Sequence, residues 1–297
     1  MMIETKNRSR LKGKITYTDG REETLEYGVE KIEEEYKGRN DIVSILLPNS
    51  VESLGHDAFA ECAELTSVVM QNGVTSIGHY AFRDCPKLES VIFSEDLEDM
   101  GAGLFLGCAS LAEVVVPQKS KFNNEHPFQG CTCKVEIHPK NPYYKVIDGS
   151  IYSTDGKTLI AAIQKKGESK FSVPDGVEII GTYAFARCKM IAEITLPESV
   201  NVIGESAFEA CESLESMAFP EGVEKIATAL LYHCSKLKTV YIPESVKEIG
   251  FAAFEKCDEL QEIHFSGKKS DWKKIKVGYR NTSINGGKLE RAKIILK

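Results

Sequence analysis

Apolar and polar positions along this chain repeat with one period. The repeat is clearest in residues 189–257, which fall into three lines of 23: KMIAEITLPESVNVIGESAFEAC, ESLESMAFPEGVEKIATALLYHC and SKLKTVYIPESVKEIGFAAFEKC. Each line ends on a cysteine, at Cys211, Cys234 and Cys257, and the same register holds at Cys62, Cys85, Cys108, Cys131 and Cys188. A fixed period of this length is the mark of a solenoid, in which each repeat is one supersecondary unit stacked on its neighbours.

The parts of a coil follow from their patterns. Segments such as ILLP, VVMQ and VIFS have strand composition, with Ile45 and Leu47, Val68 and Met70, or Val91 and Phe93 pointing inward. A glycine recurs at one corner (Gly55, Gly78, Gly101, Gly181, Gly204, Gly250), which predicts a positive φ there. Asn124 stands in that place in coil four, and Ala227 breaks the rule. Next comes A-F-x-x-C-x-x-L, whose apolar spacing of three suits a short helical turn. Phe59, Phe82, Phe105, Phe128, Phe185, Phe208 and Phe254 are expected to stack as a buried spine, with Leu231 substituting once.

The pattern divides the chain into five parts: an N-terminal cap (1–39), repeats one to four (40–131), an irregular island (132–165), repeats five to eight (166–257) and a C-terminal cap (258–297). Asp19-Gly20, between alternating segments, predicts a hairpin in the first cap. The island holds the extra residues that stretch the Cys131–Cys188 interval. Its Asp148-Gly149 and Asp155-Gly156 turns predict an inserted β-hairpin. In the last cap, the strand AKIILK is expected to pair along the end and hide the open core.

Composition narrows the functional classes. A net charge of −7 argues against nucleic acid or an anionic membrane as partner. The basic stretch from Lys268 to Arg280 is read as a solvated cap face, with a small anion-binding patch as the alternative. No apolar run is long enough to span a bilayer, so no membrane insertion is expected. The opening MMIETKNRSRLKGKITYTDG lacks the apolar core of a signal peptide, which points to the cytoplasm for the chain as given. Eight of the nine cysteines occupy one repeat position, so they are read as small buried groups with free thiols rather than a disulfide framework. Cys133 lies outside the register, and its C-x-C with Cys131 is a weak metal signal.

Candidate chemistry is sparse. The chain has no G-x-S-x-G, H-E-x-x-H, phosphate-loop or C-x-x-C motif, and GAGLFLG at 101–107 belongs to the repeat. No cofactor and no catalytic residue is predicted. His56 and His79 share one repeat position and should lie side by side. They are weak metal candidates, with Asp57 and Asp84 as the nearby acids, set against the simpler reading of two surface histidines. Tyr143, Tyr144 and Tyr152 form the densest aromatic cluster, read as hairpin packing or as a ligand contact.

The strand residue between the two inward ones must point out of the sheet. That outward column reads Leu46, Val69, Ile92, Val115, then Ser172, Thr195, Ala218, Tyr241. The aliphatic first half, flanked by Ser44, Ser67, Ser90 and Glu113, is the candidate contact surface for a protein partner or a second copy of the chain. The competing readings are strand propensity alone, or cover by the N-terminal cap.

The repeat L-P-x-S-V-x-x-I-G-x-x-A-F-x-x-C-x-x-L, over roughly residues 40–266, resembles the BspA-like bacterial leucine-rich repeat family. The resemblance implies a β-rich α/β leucine-rich-repeat solenoid: right-handed 23-residue coils, a parallel sheet on the inner face, short helical turns and islands like the one at 132–165. It implies a surface adhesin or protein-binding module more than an enzyme. A host surface or matrix protein would be a natural partner, with location at the cell surface or outside the cell.

Overall fold

The computed structural model describes residues 10–122, 126–281 and 292–296. The chain divides into two compact units, Met1–Asn123 with Glu136–Asn141, and Asn124–Val135 with Pro142–Lys297. In both, the 23-residue period is the coil of a β-solenoid. The described residues make about ten coils, built of short parallel strands with almost no helix.

In the first unit, strands Ile42–Leu47, Ser67–Met70 and Ser90–Ile92 pair in parallel, with Ile45 opposite Val68 and Val68 opposite Val91. A second ladder stacks Lys31–Ile32, Ser53–Leu54, Ser76–Ile77, Asp99–Met100 and Lys121–Phe122. The strand Lys31–Ile32 carries the coil pattern back into residues that precede the first regular repeat. Tyr36 follows it and stacks on Phe59 at 5.4 Å, as Phe59 stacks on Phe82 at 5.8 Å. The hairpin Gly13–Tyr17 and Glu22–Leu25 forms at Asp19-Gly20, and its first strand lies antiparallel along Ile42–Leu47. It thereby covers an edge that would otherwise offer free backbone groups.

The second unit repeats this scheme along Lys170–Ser172, Glu193–Thr195, Ser216–Ala218, Thr239–Ile242 and Glu262–Phe265, closed by Lys293–Leu296. Its island is a hairpin, Tyr144–Ile147 with Ser150–Ser153, turning at Asp148 and Gly149. A third strand, Thr158–Ala161, returns the chain to the stack and pairs in parallel with Ile179–Ile180. The island therefore contains a coil whose spine position is taken by Ala162. The Ala162 N–H donates to the Ala184 carbonyl, and the Cys188 thiol lies against the Ala162 carbonyl.

Every predicted spine phenylalanine is buried, at 1% exposure or less, and so is Leu231. Each such ring is worth roughly 1.5–3 kcal/mol in burial. The cysteines are free, as expected, and the structure gives a reason for their identity. The Cys85 thiol donates to the Phe59 carbonyl at 3.1 Å, Cys211 to Phe185 at 3.2 Å, Cys234 to Phe208 at 3.1 Å and Cys257 to Leu231 at 3.1 Å. One weak donor per coil thus satisfies a buried carbonyl of the coil before it.

The corner glycines correct the sequence reading. None of Gly55, Gly78, Gly101, Gly181, Gly204 or Gly250 has a positive φ. They are glycine because consecutive corners touch: a Cβ on Gly101 would lie 2.5 Å from the Gly78 carbonyl carbon, and one on Gly204 2.5 Å from the Thr182 nitrogen. Asn124, the predicted stand-in, lies outside the described residues. The left-handed positions occur two residues after the corner and one before the cysteine, as at Asp57 (φ 53°) and Glu61 (φ 62°), Tyr80 and Asp84, or Ser206 and Ala210. They orient the turn so that successive N–H groups face the next coil: Asp57 to the His79 carbonyl, Phe59 to Ala81 and Glu61 to Arg83. The segment predicted as a short helical turn is therefore a single turn that hydrogen-bonds mostly to its neighbours. Lys269–Trp272 is the one α-helix among the described residues.

Candidate functional site: the exposed face of the parallel sheet

Side chains alternate along a strand, so each inward pair leaves one residue on the open face. In the first unit Leu46, Val69 and Ile92 are register neighbours. Leu46 is half-buried beside Lys14 of the capping hairpin, and Val69 is half-buried next to it. Exposure then rises to 60% at Ile92 and 48% at Val115. The capping hairpin accounts for the reduced exposure at the start of the column, and the apolar character reaches the surface at its far end. There the ladder stops: Glu113–Val116 does not pair with Ser90–Ile92. A cleft of about 550 Å³ lies at this interruption.

In the second unit Ser172, Thr195 and Ala218 are exposed, and Tyr241 (45% exposed) stands beside Ala218 in register. The Tyr241 ring stacks on His264 at 4.7 Å, and His264 Nε2 lies 3.0 Å from a Glu262 carboxylate oxygen. Both rings line a hollow of about 270 Å³ with Ile295 and Leu296 of the last strand. His264 and Ile295 continue the column, but they lie in the closing segment, where the repeat letters fade.

The other predicted residues do different work. Tyr152 is 1% exposed and belongs to the hydrophobic core of the second unit, so it is not a surface contact. It shares that core with Ala162, and burial pushes its hydroxyl up to about 12. Tyr143 is exposed and Tyr144 half-buried, with ring centres 6.0 Å apart. His56 and His79 do stack, at 4.9 Å, but each Nδ1 accepts a backbone N–H from the next coil: His79 N–H at 3.0 Å and Ala102 N–H at 2.9 Å. The candidate acids are engaged too, Asp57 with Lys37 at 2.9 Å and Asp84 with Arg83 at 2.8 Å. Among the described residues no three histidine, cysteine or carboxylate side chains converge as a metal site would require. Nor are Cys188, Cys211 and Cys234 poised as nucleophiles: burial pushes Cys188 up to about 12 and raises Cys211 and Cys234 well above the ordinary value. No described helix is long and apolar enough to cross a membrane.

The coil geometry has a counterpart among known sequences. The profile described as BspA type leucine rich repeat region matches in six copies, over residues 22–148 and 163–276. The chain belongs to the BspA-type leucine-rich repeat family. Two solved structures are similar to it in fold. A leucine-rich repeat protein from Eubacterium ventriosum superposes with a TM-score of 0.63 at 21% identity, covering 86% of this chain and 82% of that one. The pneumococcal vaccine antigen PcpA superposes with a TM-score of 0.57 at 19% identity, covering 96% of this chain and 82% of that one. At such identities the likeness speaks to the fold. No curated protein matches the chain significantly.

Proposed function

We propose that this BspA-type chain is a non-catalytic, adhesion-type protein-binding scaffold that engages its partner through the exposed face of the first unit's sheet. The observation that carries this is the column Leu46, Val69, Ile92 and Val115, whose last two members expose aliphatic surface at 60% and 48%. A solvated sheet face ordinarily alternates to polar residues, and contiguous exposed apolar surface marks interaction sites. The similar fold of a vaccine antigen favours a surface or matrix protein of a host as partner.

The test is retention of the protein on immobilised host matrix proteins, compared with the double variant Val69→Lys, Ile92→Lys. The variant is expected to keep its circular dichroism spectrum and lose retention. Undiminished retention by a folded variant would overturn the assignment. Light scattering on both proteins reports self-association through the same face as a loss of mass in the variant.

A further inference from the structure

We propose that the surface of the closing segment, residues 268–280 of the second unit, is a binding site for a sulfated polysaccharide. The site is separate from the sheet face of the first unit and does not depend on the use of that face. Three observations carry the proposal.

The first is an insertion in the last coil. Corners of the regular coils are 23 residues apart, as Gly181 is from Gly204. Gly250 and Gly278 are 28 apart and still touch: a Cβ on Gly278 would lie 2.7 Å from the Gly250 carbonyl carbon. The extra residues fall between the strands Glu262–Phe265 and Lys276–Val277, where the chain makes the short helix Lys269–Trp272. Trp272 fixes this turn to the core, edge-on to Phe265 at 5.3 Å, and Ile275 is buried in the same core. With these two side chains turned in, Lys268, Lys269, Lys273 and Lys274 are left exposed.

The second is charge left without partners. The repeat register pairs lysine with glutamate one coil away, as in Lys170–Glu193 at 2.6 Å, Lys189–Glu212 at 2.8 Å and Lys247–Glu224 at 2.7 Å. The insertion leaves that register. Lys274 is held by Asp271 at 2.9 Å, but among the described residues no carboxylate lies within ion-pair distance of Lys268, Lys269 or Lys273. Lys276 stands opposite Glu248, which is already paired with Lys225 at 2.8 Å, and Arg280 meets Glu255 at 3.4 Å. Glu244, beside Gly267 at the start of the segment, offsets one of these cations. An excess of ammonium groups remains on a chain whose net charge is −7, and it concentrates attraction for an anion in one place.

The third is an open aromatic face. Phe251 and Tyr279 follow the corners Gly250 and Gly278, and their rings stack at 6.3 Å. The Arg280 guanidinium lies 5.7 Å from the Phe251 ring centre, while Tyr279 is 67% exposed. Tyr279 is three residues on from Lys276, at most about 10 Å of chain, so ring and ammoniums can act on one ligand. A pyranose sets its C–H groups on the electron-rich face of such a ring, and its sulfates reach the ammoniums. Single-stranded nucleic acid fits less well, because it stacks successive bases on several aromatics. A bilayer takes a broad apolar face instead. One open ring among several ammoniums matches a polymer with more anionic groups than rings, as a sulfated polysaccharide is.

A labelled heparin octasaccharide, read by fluorescence anisotropy against the whole chain, provides the test. It is expected to bind, with affinity falling as salt is raised, and its fully desulfated counterpart is expected not to. Lys269→Glu with Lys273→Glu changes two exposed residues one helical turn apart and should lower affinity at least about tenfold. Tyr279→Ala should weaken binding several-fold at unchanged salt dependence. A control pair, Lys166→Glu with Lys236→Glu, alters two exposed lysines elsewhere in the same unit by the same charge and should leave affinity within about twofold. Unchanged circular dichroism spectra are expected for every variant. Equal losses in the control pair and in the Lys269, Lys273 pair would assign the attraction to the protein's overall charge and overturn the proposal. It is overturned as well if the octasaccharide does not bind, or if Tyr279→Ala binds it as tightly as the wild type does. Single-stranded oligothymidylate, or phosphatidylcholine vesicles containing phosphatidylserine, competing as strongly as unlabelled octasaccharide at equal charge would overturn the choice of ligand and the proposal with it.

Discussion

A methyl group added at Gly78 would sit 2.5 Å from the Gly55 carbonyl carbon and 2.6 Å from the His56 nitrogen. Both atoms are backbone, so neither can swing away. Glycine is required here by the contact between successive coils, and its left-handed freedom is unused. Gly78→Ala is therefore expected to cost about 2–3 kcal/mol through forced separation of the two coils, read as a lower urea midpoint at unchanged slope. A cost below a few tenths of a kcal/mol would mean the corners are not in contact. The cysteines follow similar logic at the opposite end of the turn. A small side chain fits the slot, but only one carrying a donor also reaches the carbonyl of the preceding spine residue, as Cys234 reaches Phe208. A residue type recurring at fixed spacing showed that a constraint exists. Which constraint it is depends on neighbours 22 to 26 residues away, and single-residue rules about φ or hydrophobicity do not contain them.

Elements with repeated letters were legible, and elements that depart from the repeat were not. The strands and the phenylalanine spine follow from the period. So does the outward column, because alternation fixes which residue of a strand faces out. The coil hidden in the island was missed because Ala162 stands where the other coils carry a ring, so the repeat letters are absent although the backbone bond to Ala184 is kept. Asn281 was missed for a related reason. It occurs once, is fully buried, and ends the turn ladder of the second unit: its Oδ1 accepts the Phe254 N–H at 3.1 Å, while its Nδ2 donates to the Gly250 and Gly278 carbonyls at 2.6 and 3.0 Å. Asn281→Leu leaves these groups without partners and is expected to cost about 1–3 kcal/mol. Amide exchange at Phe254 should accelerate alongside. Protection of that amide persisting in the variant would show that another acceptor takes over.

At the scale of the whole molecule, acid sensitivity centres on one side chain. His126 is buried in the second unit, where Nδ1 accepts the Phe128 N–H at 3.2 Å and Nε2 lies 3.0 Å from the Tyr183 carbonyl. Desolvation holds its pKa down at about 4. The folded state thus keeps the ring neutral while the unfolded chain takes up a proton below about 6.5. Stability is complete above that value and drains away between about pH 6.5 and pH 4. Between pH 7.5 and pH 5 the wild type should lose about 2 kcal/mol more than His126→Gln, measured by urea unfolding at each pH. Parallel curves for the two proteins would remove His126 as the cause.

The turn strip has a further consequence within each unit. A peptide such as that joining His79 to Tyr80 accepts from Asp57 behind it and donates to Ala102 ahead, and the run Tyr183, Ser206, Ala229, Ala252 continues in one sense to the Tyr279 carbonyl. Peptide dipoles linked head to tail in this way add, as they do along an α-helix, where the ends carry on the order of half an elementary charge. The turn strip of each unit is therefore polarised along the stacking direction, negative toward its earlier coils and positive toward its later ones, while corner N–H groups, such as Gly78 to the Leu54 carbonyl, donate the other way. Each added coil would extend this polarity without reversing it. The terminus of the second unit's array must then present an acceptor, and the oxygen of Asn281 supplies one to Phe254.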